Sequence, residues 1–303
     1  MTGNPTTGDG GERVAKVIAR AGLCSRREAE RLIAEGRVAV DGVTLESPAV
    51  TVSPDNRVTV NGKALPAPEP TRLFRYHKPA GLVTTARDPQ GRPTVFDKLP
   101  GELPRLMPVG RLDLTSEGLL LLTNDGTLKR RLELPATGWT RRYRVRVYGR
   151  VQPERLAELA KGLRIAGIAY GPIAARLDTQ QGANAWLTMS LTEGKNREIR
   201  RVCEHLDLQV NRLIRVAYGP FQLGKLKPGA VSEVPPKALA EQLGEAPPGP
   251  SAARKIGTAK AKPRPRKPGD RKRKISAKDP GAGRNEGKRS IGKKSHAHRR
   301  RPA

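Results

Sequence analysis

Apolar and polar positions recur along this chain at two periods, and the switches between them mark out its elements. Val14, Val17, Ile18 and Ala21 follow helical spacing, and Gly22 ends the stretch. Ser25-Arg26-Arg27-Glu28 then predicts a capping box, in which Ser25 accepts from an early backbone N–H and Glu28 reaches back. The helix that follows places Ala29, Leu32 and Ile33 on one face. Arg27 and Arg31 lie on the opposite side with Arg26 near them, and Gly36 is the stop. The period then falls to two. Arg37–Val40 runs into Asp41-Gly42 and Arg57–Val60 into Asn61-Gly62, both read as strands ending in hairpin turns.

Pro66-Ala67-Pro68-Glu69-Pro70 reads as a stiff linker, because proline fixes φ and favours extended chain. Beyond it the four leucines Leu119–Leu122 form a short apolar run that predicts a buried strand, stopped by the turn signal Asn124-Asp125-Gly126. Arg141–Tyr148 alternates cleanly. Tyr143, Val145 and Val147 share one face, while Arg142, Arg144, Arg146 and Tyr148 share the other. Ala185–Leu191 is a further strand, and Pro153–Gly162 and Asn196–Leu206 are helices. These strands are not spaced as regular βαβ repeats, so the expected fold class is α+β with a mostly antiparallel central sheet. The expected organisation is a flexible lead-in (1–11), a small module (12–65), the proline-rich linker (66–70), a larger domain (71–243) and a basic tail (247–303).

Composition narrows the partner. The 303 residues carry a net charge of +29, and the excess is uneven: residues 251–303 hold +17 and the remainder +12. A body that is basic even without its tail points to a phosphate backbone. The tail is dominated by Pro, Gly, Lys, Arg, Ser and Ala, too polar to offset the entropy of ordering, and reads as a disordered electrostatic tether. Aromatic residues are 3% of the chain, which argues against a base-stacking sheet of the RRM type. Cys24 and Cys203 lie far apart with no Cys/His cluster, so neither zinc nor a disulfide framework is expected. No run of 18 apolar residues occurs, and residues 1–11 lack the apolar core of a signal peptide. The expectation is a cytoplasmic monomer with no membrane and no small-molecule or metal cofactor.

Three segments carry candidate chemistry. Gly110-Arg111-Leu112-Asp113 sets an acid at the rim of the Leu-rich strand in a strongly basic protein. Taken alone, Asp113 reads as readily as a turn or capping residue. In Glu193-Gly194-Lys195-Asn196-Arg197-Glu198-Ile199-Arg200-Arg201, a helical projection at about 100° per residue turns Arg197 and Arg201 away from the apolar stripe and leaves Arg200 at the core edge. A core-edge arginine needs a partner, and Asp113 is the natural one, whether as a structural ion pair or as part of a site. Tyr143 shares the apolar face of its strand, fitting either a core tyrosine or a ring laid against a base. Lys78, in Tyr76-His77-Lys78-Pro79-Ala80-Gly81, is placed to approach a phosphate.

Together these blocks resemble the RsuA/RluB/RluE/RluF family of ribosomal RNA pseudouridine synthases, over roughly Glu12 to Leu243. The small module resembles an S4 RNA-binding domain. The resemblance implies a pseudouridine-synthase catalytic domain in which Asp113 is the nucleophilic acid, Arg200 the basic residue that contacts it and Tyr143 the ring that packs on the target uracil. It implies isomerisation of a uridine in ribosomal RNA, of the large subunit above all, without cofactor, metal or energy source. Whether Asp113 acts as nucleophile or as the base that starts glycal formation is left open. The implied partner is ribosomal RNA or a ribosomal subunit precursor, with candidate contacts at Arg26, Arg27, Arg31, Lys78, Arg111, Lys195, Arg197 and Arg201. The competing readings are a synthase acting on small-subunit RNA and a non-catalytic RNA-binding assembly factor on the same fold.

Overall fold

The computed structural model describes residues 11–244, so the basic tail and the start of the chain lie outside the described residues. The first elements are β1 (Glu12–Arg13), α1 (Val14–Arg20), α2 (Arg26–Ala34), β2 (Val38–Val40), β3 (Val43–Thr44), β4 (Thr51–Val52), β5 (Val58–Val60) and β6 (Lys63–Ala64). They enclose their own core, which includes Val14, Ile18, Ala29, Ile33, Val38 and Val60. Ser25 Oγ accepts from the Glu28 N–H at 3.1 Å and starts α2 as the capping box requires. The reciprocal half is not formed, because the Glu28 carboxylate is taken by Arg31 instead. The strands make an antiparallel sheet in the order β3-β2-β5-β6, and β1 pairs with β4. Both hairpins turn through two left-handed residues, Asp41-Gly42 and Asn61-Gly62, the geometry whose twist matches the flanking strands.

Residues 66–70 have no regular structure. The chain then forms β7 (Leu73–Lys78), β8 (Met107–Val109), β9 (Ser116–Thr123), α3 (Gly126–Glu133), β10 (Arg141–Tyr148), α4 (Pro153–Glu158), β11 (Leu163–Ile165), β12 (Ile168–Tyr170), β13 (Ile173–Gln181), β14 (Asn184–Leu191), α5 (Glu198–His205), β15 (Gln209–Tyr218), β16 (Phe221–Gln222), β17 (Val231–Glu233) and α6 (Pro236–Leu243). Nine of these strands make one sheet along the path β13-β14-β10-β15-β9-β7-β17, with β16 added on β15 and β8 on β9. Every pairing is antiparallel except β15 with β9, so the class is α+β with a mostly antiparallel sheet. Asn124-Asp125-Gly126 does end the leucine strand. Asp125 goes further and caps α3, accepting from Thr127 N–H at 2.7 Å.

The parallel pairing is the seam of the sheet, with Leu213, Ile214 and Arg215 opposite Ser116, Glu117 and Gly118. Gly118 has φ +101°, and a Cβ there would lie 2.3 Å from the Arg215 carbonyl oxygen. Only glycine supplies that backbone and that closeness. On one side of the seam, α5 and the Val145, Leu187 and Met189 face of the sheet form one apolar core. On the other side both faces are covered: Leu119 and Leu121 enter one core with α3 and α6, Leu120 and Leu122 another with Phe74, Tyr76 and Leu112.

Candidate active site

The segment from Gly110 to Ser116 leads into the seam, and the backbone carbonyls from Leu112 to Ser116 are all engaged by protein groups. Gly110 N–H donates to Glu133 Oε1 at 2.6 Å. Leu112 is buried, and its carbonyl accepts from Thr84 Oγ1 at 2.8 Å. The Leu114 carbonyl accepts from Gly81 N–H at 2.8 Å, and the Asp113 carbonyl from Ser116 N–H at 3.0 Å. Such loops are normally mobile because their polar groups face water; here a run of five carbonyls is tied to protein instead.

Lys78 completes the hold, and here the expectation of a phosphate contact is corrected. Its side chain is fully buried at the end of β7. Nζ lies 2.8 Å from the Ser116 carbonyl, 3.1 Å from those of Asp113 and Pro79, and 3.4 Å from that of Leu114. An ammonium with three donors, surrounded by four carbonyls, has nothing left for a ligand it cannot reach. Burial lowers its pKa to about 8 from an ordinary 10.5, against the opposing pull of Asp113 and Glu117. The sequence signal, a basic residue just before Pro-Ala-Gly, is the same for a surface contact and for an internal clamp.

With its carbonyl engaged, Asp113 is half-buried, and its carboxylate has no hydrogen bond or ion pair to any described residue. The expected Asp113–Arg200 pair is therefore not closed. Arg200, half-buried on α5, instead donates through Nη2 to Thr115 Oγ1 at 2.9 Å and to the Thr115 carbonyl at 3.3 Å, and through Nη1 to the Val210 carbonyl at 3.3 Å. Those acceptors claim the guanidinium two residues from the acid. Arg200 nonetheless feels Asp113: burial and Arg197 lower its pKa, and the Asp113 charge raises it. Arg200 Nε is buried with no partner. Tyr143, on β10, packs against the cores on both sides of the seam, including the one that holds Leu112. The structure thus brings Asp113 and Arg200 to one locus, and Tyr143 to the apolar wall formed with the residue before Asp113.

The segment before α5 departs from the expected helix. Arg197 has φ +51°, a left-handed backbone that non-glycine residues adopt at a cost of about 1–3 kcal/mol. The helix therefore starts at Glu198 rather than near Asn196. Glu198 is buried, and its Oε2 accepts from Lys195 N–H at 2.8 Å. Burial pushes its pKa up to about 7, and the neighbouring Glu193 carboxyl adds to the shift. Arg197, Lys195 and Arg111 are exposed, as are Arg26, Arg27 and Arg31 on α2. Lys195 pairs with Glu193 and lies over the Tyr170 ring, and Arg31 pairs with Glu28 and Glu35. Arg201 is half-buried beside Tyr170 and Asn196. Residues that the sequence did not single out include Thr115, which receives Arg200, and Arg215. Arg215 is buried at the seam, donates to the Leu119 carbonyl at 2.7 Å and leaves Nη2 without a partner. A buried arginine inside an alternating strand looks like any outward-facing one.

Cys203 is inert packing, its thiol pushed up to about 12 by burial. A surface cavity of about 400 Å³, lined by Arg197, Arg200, Glu204 and Val210 among others, also borders Arg200 but does not include Asp113.

Residues 72–205 match the model of the RNA pseudouridylate synthase family, and residues 12–58 match that of the S4 domain. The chain is 50% identical to an uncharacterized RNA pseudouridine synthase of Rickettsia felis, over 75% of this chain and 99% of that one. It is 42% identical to ribosomal large subunit pseudouridine synthase B of Yersinia pestis, over 75% of this chain and 74% of that one. Among solved structures it is similar to a pseudouridylate synthase at 26% identity and a TM-score of 0.53, covering 76% of this chain and 98% of the other.

Proposed function

Since the chain belongs to the RNA pseudouridine synthase family, we propose that it isomerises a uridine of ribosomal RNA, in the large subunit, with Asp113 as the group that opens the reaction. The observation that carries this reading is the contrast at residue 113. The backbone around it is clamped by Lys78, Thr84, Gly81 and Glu133, while its carboxylate is left unengaged. A group held in place but not neutralised is what electrostatic preorganisation asks of a catalytic acid or nucleophile.

In the reaction the C1′–N1 bond of the uridine breaks, the uracil turns, a C1′–C5 bond forms, and C5 loses its proton while the freed N1 gains one. Asp113 supplies the carboxylate that opens the reaction, either as nucleophile at C1′ of the ribose or as the base that starts glycal formation. Arg200, within electrostatic reach of Asp113, supplies the cation of the site. Tyr143 offers its ring to the extruded base, whose removal from the stack takes about a few kcal/mol. Phosphate contacts at Arg26, Arg27, Arg31, Arg111, Lys195, Arg197 and Arg201 offset that amount. We assign residues 12–65 as the S4 module and 71–243 as the catalytic domain. The Yersinia protein named for the large subunit supports that choice of RNA.

Asp113→Asn is expected to abolish pseudouridine formation while thermal stability stays within a degree or two and RNA affinity within a few-fold. Pseudouridine mapping of both ribosomal RNAs, from cells lacking the protein and from cells carrying the variant, reads out the site. Turnover retained by the variant, or lost sites confined to the small subunit, would overturn the corresponding part of the reading.

A further inference from the structure

Tyr143 and the buried valines occupy one face of β10, and the opposite face is entirely different in character. Arg142, Arg144, Arg146 and Tyr148 project from the face opposite Tyr143 and are exposed, Tyr148 by 53%. The register extends this into a field. Arg144 lies in a row with Thr188 of β14 and Arg176 of β13, and Arg146 in a row with Trp186 of β14 and Arg212 of β15. Five guanidiniums thus share the face with two carboxylates: Asp178, which pairs with Arg176 and Arg144, and Glu117, which pairs with Arg212. Arg144 lies over the Trp186 ring at 4.7 Å, which leaves a flat cationic and aromatic platform. Arg142 and Arg146 hold only neutral amides, Gln222 Oε1 at 2.7 Å and Asn184 Oδ1 at 3.3 Å.

We propose that this outer face of β13, β14, β10 and β15 is a second RNA-binding surface, which holds a flanking segment of the substrate RNA away from the uridine being isomerised. Three observations choose the occupant. The face carries five guanidiniums against two carboxylates, and Arg142 and Arg146 have no acidic partner, so it keeps positive charge in the fork geometry that suits phosphate. It lacks the apolar centre that a stable protein interface needs, while Trp186 and Tyr148 give surfaces for bases. The chain's own unplaced segment cannot complement it, because residues 251–303 carry +17. Lying on the opposite face from Tyr143, the platform contributes to binding and not to the chemical step. The inference rests on RNA being the substrate.

The experiment uses the full chain and a long ribosomal RNA transcript, with Arg142→Ser, Arg144→Ser and Arg146→Ser combined. Removing three phosphate contacts is expected to weaken Kd by about 10- to 100-fold and to make the slope of log K against log salt shallower by about 2–3. Turnover at saturating RNA should stay within about two-fold of wild type. Arg146→Glu alone, with a melting curve, gives a second reading in a less altered chain and should weaken binding several-fold. Unchanged affinity and salt slope in both variants would overturn the proposal, including the case where an acidic protein covers the face instead. If the wild-type chain turns over no RNA at all, the substrate reading fails first. If it does turn over and only the slopes fail to move, the outer face alone is refuted.

Discussion

The two halves of the large sheet solve the burial problem in different ways. In the β7–β9 half both faces are covered, and successive leucines of one strand enter opposite cores: Leu119 and Leu121 one, Leu120 and Leu122 the other. In the half built on β10, β14 and β13 one face is covered and the other is solvated, so apolar and charged residues alternate. A continuous apolar run and a strict alternation are therefore the same backbone geometry under two environments. The proposed site around Asp113 lies where these environments meet. There a strand buried on both sides can anchor a loop rigidly, and the half-open strands still leave room for a large ligand.

The comparison can be broken most directly at the seam. Gly118→Ala places a Cβ against the Arg215 carbonyl and forces an L-residue to φ +101°. It is expected to destabilise the chain by about 3 kcal/mol or more, combining strain and overpacking. A urea titration is the measure, and two separated transitions in place of one would show the halves uncoupled. Loss below about 1 kcal/mol would mean that the seam can slide and that the halves are not rigidly joined.

Next in size is Lys78→Met. It keeps the volume and removes the ammonium from four carbonyls, leaving buried acceptors unsatisfied at about 1–3 kcal/mol each before relaxation. The expected net loss is about 2–3 kcal/mol, with turnover down about 10²-fold as the loop loses its register. Single-turnover rates at saturating RNA check this. A variant with normal rates would show that Thr84, Gly81 and Glu133 hold the loop without the ammonium.

The smallest effect belongs to α5, on the half-open side. Glu198 has its folded pKa raised to about 7 from 4.5, chiefly by burial. The native state therefore keeps a proton that the unfolded chain releases, and stability falls as pH rises from about 4.5 to about 7. Glu193, which burial pushes up but hydrogen bonds from Lys195 and Gly171 bring below its ordinary value, offsets part of this. Glu198→Gln should match wild type near pH 4.5 and exceed it by roughly 1–2 kcal/mol at pH 8. Melting curves across that range decide, and parallel curves would remove Glu198 from the account.

These contrasts also explain what could be read from the sequence. Helices α1 and α2, both hairpins and the faces of β10 were legible because each is set by neighbours within a few residues. Asp113 stood out as an acid in basic surroundings. What escaped depends on distant chain. The parallel contact of β9 with β15 joins residues about a hundred positions apart. Arg200 reaches Thr115 rather than Asp113 because of where that seam places the loop. Lys78 was assigned to the surface because nothing local separates a clamp from a contact. Arg197 hid inside a helical periodicity that continues through it although the backbone does not.

For protein engineering, the way the 110–116 loop is fastened separates the proposed reacting group from its exposed neighbours. Its restraints act on main-chain atoms, on Leu112 and on the Thr115 hydroxyl, whereas Arg111 and Leu114 are exposed beside the acid. A library randomised at 111 and 114 should therefore sample new target contexts on an unaltered reaction centre, with most members folded.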